Sequence, residues 1–302
     1  MEIKRILSRE HSKIFFVLAF IVPAVAIFIY ACVSPIFKSI YSSFFRWSGF
    51  SNMTFIGLDN YIRIFKDTVF YKSIRNDIYY VLGKELIIVP LSLLFALSMT
   101  RLRFCKFETN VYRFLLYIPN VLSVSIIGIV WAFILDPYNG VLNGLLRGIG
   151  LEEWIPVSGW LVEYTMPSII LVASWCGIGY YMIILISAIN SVSMDLYEAA
   201  DIDGAGQWRQ LWSITVPAIR EKIRFVMINI VIGTLGNYSL AMILANGGTN
   251  GSGMVMGLYV YRYGIDSSAP MVGYANAAAV LLMIVSTTII LLINRFMNKE
   301  ED

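Results

Sequence analysis

Apolar positions gather into six long runs, approximately 14–36, 78–99, 111–135, 167–189, 225–245 and 275–296, with charged and turn-forming residues between them. A helix needs about 20 apolar residues to cross a hydrocarbon core of about 30 Å. Only a helix satisfies its own backbone in lipid, so β-branched pairs such as Ile126-Ile127 or Thr288-Ile289 do not argue for strand. The pattern predicts an all-α membrane protein with six transmembrane helices, a short N-terminal segment over 1–13 and a transmembrane domain over 14–302. The first run has signal-like features. Lys4, Arg5, Arg9 and Lys13 precede it, and Ala24-Val25-Ala26 resembles a cleavage site. Its apolar character continues to Ile36, well beyond a signal core of about 7–15 residues, so it reads as an uncleaved anchor.

The distribution of Lys and Arg then sets orientation. Two of the alternate loops, 136–166 and 246–274, hold a single basic residue each, Arg147 and Arg262. The N-terminal segment, 100–113, 190–224 and the C-terminal end hold most of the rest, which predicts both termini on the cytoplasmic side. The loop 37–77 departs from this trend with Lys38, Arg46, Arg63, Lys66, Lys72 and Arg75. Its stretch Leu58–Phe65 is amphipathic, with Asp59 or Asn60 as a cap, and predicts a helix at the outer interface. Tyr138, Trp154 and Trp160 suit a membrane–water boundary.

Composition narrows the function. The chain has 302 residues, 58% hydrophobic and 14% charged, against about 25% charged in soluble domains. A net charge of +3 without a basic run excludes a nucleic-acid groove. Cys32, Cys105 and Cys176 are far apart and His11 is the one histidine, so neither a disulfide framework nor a metal site is expected. No phosphate-binding G-x-x-x-x-G-K-[ST] occurs: Gly83-Lys84 is followed by Glu85 and lacks the upstream glycine.

The segment 193–217 carries the most information. Asp195 and Glu198 form a capping-box pattern that starts a helix, Gly204 can end or bend it, and Ala205–Ile214 can form a second helix before Pro217. Ala199, Ala200, Gly204 and Ala205 are small enough for close approach. Trp208, Leu211 and Trp212 share one face. The element is either an interfacial helix–Gly–helix packed on its own spans or a docking element for another protein.

Glu198-Ala199-Ala200, Gly204 and Ile214-x-Val216-Pro217 resemble, spacing included, the EAA signature of permease subunits in ABC importers, with Asp203-Gly204-Ala205 as its usual filling. Phe55–Tyr61, Asp136–Asn143, Asn246-Gly247-Gly248-Thr249 and Tyr259-Val260-Tyr261 resemble phrases of the carbohydrate-uptake group, of maltose-permease "F" type. Ser193, Glu221 and Thr249 stand where that group commonly has proline. The resemblance implies a type I importer permease fold in the bacterial cell membrane and a non-catalytic subunit that binds no cofactor. Its implied partners are a second related permease, a dimer of cytoplasmic ABC ATPases that bind ATP and Mg, an extracellular or periplasmic substrate-binding protein, and membrane lipid. Glu198, Ala199, Ala200, Asp203, Gly204, Ala205 and Pro217 would couple the chain to the ATPase. Glu198 would pair with a basic residue there, and Gly204 would give the bend.

A sugar path needs hydroxyl-bonding and aromatic side chains on helix faces. The candidates are Trp175, Tyr180 and Tyr181, then Asn229, Asn237, Tyr238 and Ser239, with Asn237 and Tyr238 the leading pair. Gly177 and Gly179 could break the fourth span and open carbonyls to a cavity; alternatively, Asn and Gly there serve helix packing. Lys84-Glu85 inside the second span reads first as a local ion pair or a snorkelling lysine, and second as a functional charge. A secondary transporter driven by an ion gradient is the competing function. It predicts internal repeats and paired mid-membrane ionisable groups, of which Lys84-Glu85 is the one example.

Overall fold

The computed structural model describes residues 16–50, 52–101 and 106–298. The N-terminal segment 1–13 with His11, Cys105 and the last four residues lie outside the described residues. Helix α1, Phe16–Ser42, is 27 residues long, and no part of its apolar window is buried within the chain. The strands β1, Phe45–Arg46, and β2, Thr54–Phe55, form a short antiparallel pair. Then come α2, Asp59–Ile64, and α3, Thr68–Arg101. Helix α3 begins well before the apolar run at 78 because its first turns face protein rather than lipid, with Phe70, Ser73, Asn76 and Asp77 buried.

The third apolar run, expected as one span, is two helices. Helix α4, Lys106–Val121, and α5, Val124–Ile134, meet at 97°. Pro119 lies in the last turn of α4, and Ser123 caps α5 by accepting from the amide of Ser125. The fifth run is also bent: α11, Arg220–Leu235, meets α12, Ser239–Ala245, at 53°. Between these lie α6, Val141–Gly148; α7, Trp160–Glu163; α8, Thr165–Ile189; α9, Met194–Ile202; and α10, Gln207–Gln210, which runs through a π turn at Leu211–Thr215 into Val216–Ala218. The chain ends with α13, Met256–Tyr261, and α14, Val272–Asn298.

The contacts divide the chain into two units. The first comprises residues up to Ile64 with Tyr263–Val280. In it the amide of Asn60 donates to the carbonyls of Ser43 and Phe45 at 2.7 and 3.0 Å, so Asn60 ties the loop together from inside α2. Gly273 is required at the start of α14, where a Cβ would lie 2.0 Å from the carbonyl oxygen of Phe45. The Asn276 amide donates to Ser42 Oγ at 2.6 Å.

The second unit comprises Phe65–Arg262 and the residues from Leu281 onward. Its most extensive helix pair is α3 with α8. Ile88 and Ala96 of α3 join Met182, Leu185 and Ile189 of α8 and Val226 and Ile230 of α11 in one apolar core. Gly177 and Gly179 do not break α8, which is continuous. A Cβ on Gly179 would lie 2.0 Å from the carbonyl oxygen of Leu116, so this glycine lets α4 lie against α8. The phrase Asp136–Asn143 is a self-bonded turn. Asp136 Oδ1 accepts from the amides of Tyr138 and Asn139, and Asn143 donates to the carbonyls of Asp136 and Pro137. Trp160 donates from its indole to Asn143 Oδ1 at 2.7 Å, while Tyr138 and Trp154 are exposed.

Candidate functional site

Two features lie where the sequence directs attention: the element between α8 and α11, and a cavity beside α8. The first is a helix–Gly–helix. Its cap is Ser193, whose hydroxyl accepts from the amide of Asp195, so the cap falls two residues before Asp195 and no capping box forms with Glu198. Gly204 takes φ +71°, a left-handed conformation that side chains other than Gly or Asn disfavour. There the amide of Ala205 bonds the carbonyl of Ala200 at 2.8 Å, and that of Gly204 bonds Asp201 at 3.1 Å. These two bonds form a Schellman stop, which satisfies the last carbonyls of α9 and reverses the chain.

Three side-chain bonds hold the returning arm. Tyr197, buried at 3%, places its hydroxyl 3.0 Å from Thr215 Oγ1. Gln210 donates to Asp201 Oδ1 and to the carbonyl of Ala205. The outward surface is left free of such bonds. Glu198, Ala199, Asp203, Gly204 and Pro217 are exposed, and Ala200 and Ala205 are half-buried. Trp208 and Trp212 are 74% and 63% exposed, so the aromatic stripe faces away from the chain's own spans rather than onto them. This is a rigid, self-satisfied hook with an acidic residue, small residues and aromatic rings turned outward, and it is suited to entering a groove.

The second feature is a cavity of about 360 Å³ among α3, α4, α5, α8, α11 and α12. Both helix breaks open onto it. Asn120 comes from the end of α4, Asn237 from the turn between α11 and α12, and Tyr180 and Tyr181 from α8. Backbone freed from helical pairing is tolerated at membrane depth only where protein or a wet cavity receives it, and the breaks meet that condition. The Tyr180 and Tyr181 rings stand edge to face, with centroids 5.0 Å apart.

The other expected path residues lie elsewhere. Trp175 packs against Trp131 at 5.6 Å. Asn229 donates to the carbonyl of Phe225, one turn back in its own helix. Tyr238 stacks on Tyr261, and the amide of Ser239 is capped by Asn237 Oδ1. Tyr80 and Asn120 line the cavity although neither is among the expected path residues. Lys84 also lines the cavity, its ammonium 5.3 Å over the Tyr80 ring. The readable signal was the four-residue spacing of Tyr80 and Lys84, which puts them on one helix face, and the Pro119-Asn120 pair inside an apolar run.

A third ordered segment follows α12. Asn246, Gly247, Gly248, Asn250 and Gly251 all take positive φ. The Asn76 amide donates to the carbonyls of Gly251, Ser252 and Met254, Asp77 accepts from the amide of Met256, and Lys72 donates to the carbonyl of Asn250. The first turns of α3 therefore hold this loop. Among the described residues, no group of three His, Cys, Asp or Glu could hold a metal ion.

Residues 88–300 match the family described as "Binding-protein-dependent transport system inner membrane component". The chain is 32% identical to the probable ABC transporter permease protein YurN of Bacillus subtilis, over 93% of this chain and 96% of that one. It is also 32% identical to the diacetylchitobiose uptake system permease protein NgcF of Streptomyces coelicolor, over 94% and 83%. A crystal structure of a bacterial ABC transporter involved in the import of the acidic polysaccharide alginate superposes with a TM-score of 0.82 at 24% identity, covering 97% of this chain and 98% of that one.

Proposed function

The chain belongs to the family of binding-protein-dependent transport system inner membrane components, and from that membership we propose that it forms half of the path by which an ATP-driven importer moves a sugar or oligosaccharide across the cell membrane. It is a permease subunit and a multi-pass component of that membrane. The carbohydrate cargo is supported by the uptake system named for its relative NgcF and by a cavity of tyrosines and asparagines. Such groups hydrogen-bond hydroxyls and stack on the C–H faces of sugars.

The observation that carries the mechanism is the hook at 193–217, whose carboxylate at Glu198 and bend at Gly204 are presented outward on a backbone that satisfies itself. The hook faces the cytoplasm and docks into a cleft of a separate ATPase, with Glu198 against a basic residue and Trp208 and Trp212 against apolar surface. ATP and Mg belong to that ATPase dimer, and this chain performs no chemistry. A second related permease completes the path and, with lipid, covers α1. A substrate-binding protein delivers cargo from outside. Closure of the ATPase dimer moves the hook, and the hook moves α8 and α11, which flank it directly. The coupling requires the inward- and outward-open states to differ in their free energy of contact with the ATPase.

Glu198→Arg places like charge at the dock, and Gly204→Leu forces a left-handed bend that Leu resists. With the importer reconstituted in vesicles, each variant inserts normally but loses uptake on the order of tenfold or more, the scale of a broken interfacial charge pair. ATP hydrolysis then no longer rises with binding protein. Normal uptake by both variants would remove the coupling role from this loop.

A further inference from the structure

We infer that the cavity is built for an acidic sugar, one carrying a carboxylate, sulfonate or phosphate, and that Lys84 is the residue that reads the acid. This deepens the carbohydrate reading above and rests on it. The polar lining consists of Tyr80, Lys84, Asn120, Tyr180, Tyr181 and Asn237, and no Asp or Glu is among the lining residues. Lys84 is therefore the one charged side chain among the lining residues. Glu85 follows Lys84 in sequence but does not line the cavity. Neither of its carboxylate oxygens has a hydrogen-bond partner among the described residues, so it acts on the Lys84 ammonium through space and not by a hydrogen bond. The contact seen for that ammonium is the face of Tyr80, 5.3 Å from the ring centroid. A ring face attracts a cation but accepts no conventional hydrogen bond in the way an oxygen does, and an ammonium has three donors to satisfy.

A lysine at membrane depth is costly and calls for a partner in its cavity. The neutral lining already provides what a neutral sugar needs: amide and phenol groups for hydroxyls, and ring faces for stacking. Lys84 adds a charge-assisted hydrogen bond to an anion, which is shorter and roughly twice as strong as a neutral one. Lysine also suits a site that must release its cargo. It is a point charge on a flexible stem, whereas arginine would clamp a carboxylate through a bidentate fork. The cavity size, about 360 Å³, lies at the small end of ligand pockets, so it reads one or two sugar units at a time rather than a whole chain.

The test uses the complete importer, with its binding protein, second permease and ATPase, in vesicles. Uptake is measured for galacturonate, sulfonated and phosphorylated mono- and disaccharides, each beside its neutral counterpart, in wild type, Lys84→Gln and Lys84→Arg. The binding protein is the same in every arm, so a change in the acidic-to-neutral ratio reports the permease. The expected result is wild-type uptake of an acidic sugar that falls on the order of tenfold in Lys84→Gln and is kept in part by Lys84→Arg, with any neutral uptake unchanged. Uptake of neutral sugars alone by wild type would overturn the role of Lys84 and leave the carbohydrate reading standing. Equal loss of acidic and neutral uptake in Lys84→Gln would assign Lys84 to folding and overturn the inference. Transport of no carbohydrate by wild type would instead sink the parent reading. If Lys84→Gln fails to assemble, the wild-type panel and Lys84→Arg still decide.

Discussion

Single glycines show how differently one residue type can matter in this chain. Gly204 has open space around its absent side chain and is constrained by its φ of +71°, whereas Gly179 is helical and constrained by the Leu116 carbonyl, 2.0 Å from where a Cβ would sit. The two should respond to substitution in opposite ways. Asn tolerates the left-handed region, so it can replace Gly204 where Leu cannot. At Gly179 even alanine forces backbone apart, and Gly179→Val should destabilise the α4–α8 contact by at least about 1–3 kcal/mol, the usual cost of overpacking. Unfolding in mixed detergent and SDS would measure this. A midpoint equal to wild type would mean that α4 can move away freely.

At the scale of elements, the bends matter more than the spans. Helices α4 and α5 meet at 97°, and α11 and α12 at 53°, and both breaks deliver an asparagine to the same cavity. A straight span would have kept Asn120 and Asn237 on helix faces and closed its backbone to any solute. The loop after α12 depends in turn on α3. Asn76, 2% exposed, serves three carbonyls of that loop. Asn76→Ala leaves these acceptors without a partner at a cost of about 1–3 kcal/mol. Hydrogen–deuterium exchange over 249–256 should accelerate by roughly an order of magnitude, RT ln 10 being about 1.4 kcal/mol. Unchanged exchange would show that Lys72 and Asp77 suffice to hold the loop.

For the whole molecule, the central question is the source of energy. The phosphate-loop motif does not occur in the sequence, and the chain's family works with binding proteins. In vesicles that carry the assembled importer, uptake should require ATP on the side of the ATPase. It should persist when ionophores collapse the proton and sodium gradients. Uptake driven by an ion gradient without ATP would revive the secondary-transporter reading.

The six apolar runs, the membrane class and the EAA spacing could be read directly from the chain, because each depends on local composition or short-range order. Lipid demands a continuous apolar run, and the reversal at Gly204 is set by residues within one turn of it. The placement of Tyr180, Tyr181 and Asn237 in one cavity, and of Trp175, Asn229, Tyr238 and Ser239 outside it, was decided by tertiary structure. Which face of an apolar helix meets a neighbour depends on where the chain bends and how closely its partners approach. Neither Pro119 nor Gly179 reveals alone whether it marks a break or a contact. Lys84 shows the same limit: it is adjacent to Glu85 in sequence, yet the rotation of α3 and the packing of α8 put the ammonium in the cavity and leave the carboxylate out of its lining.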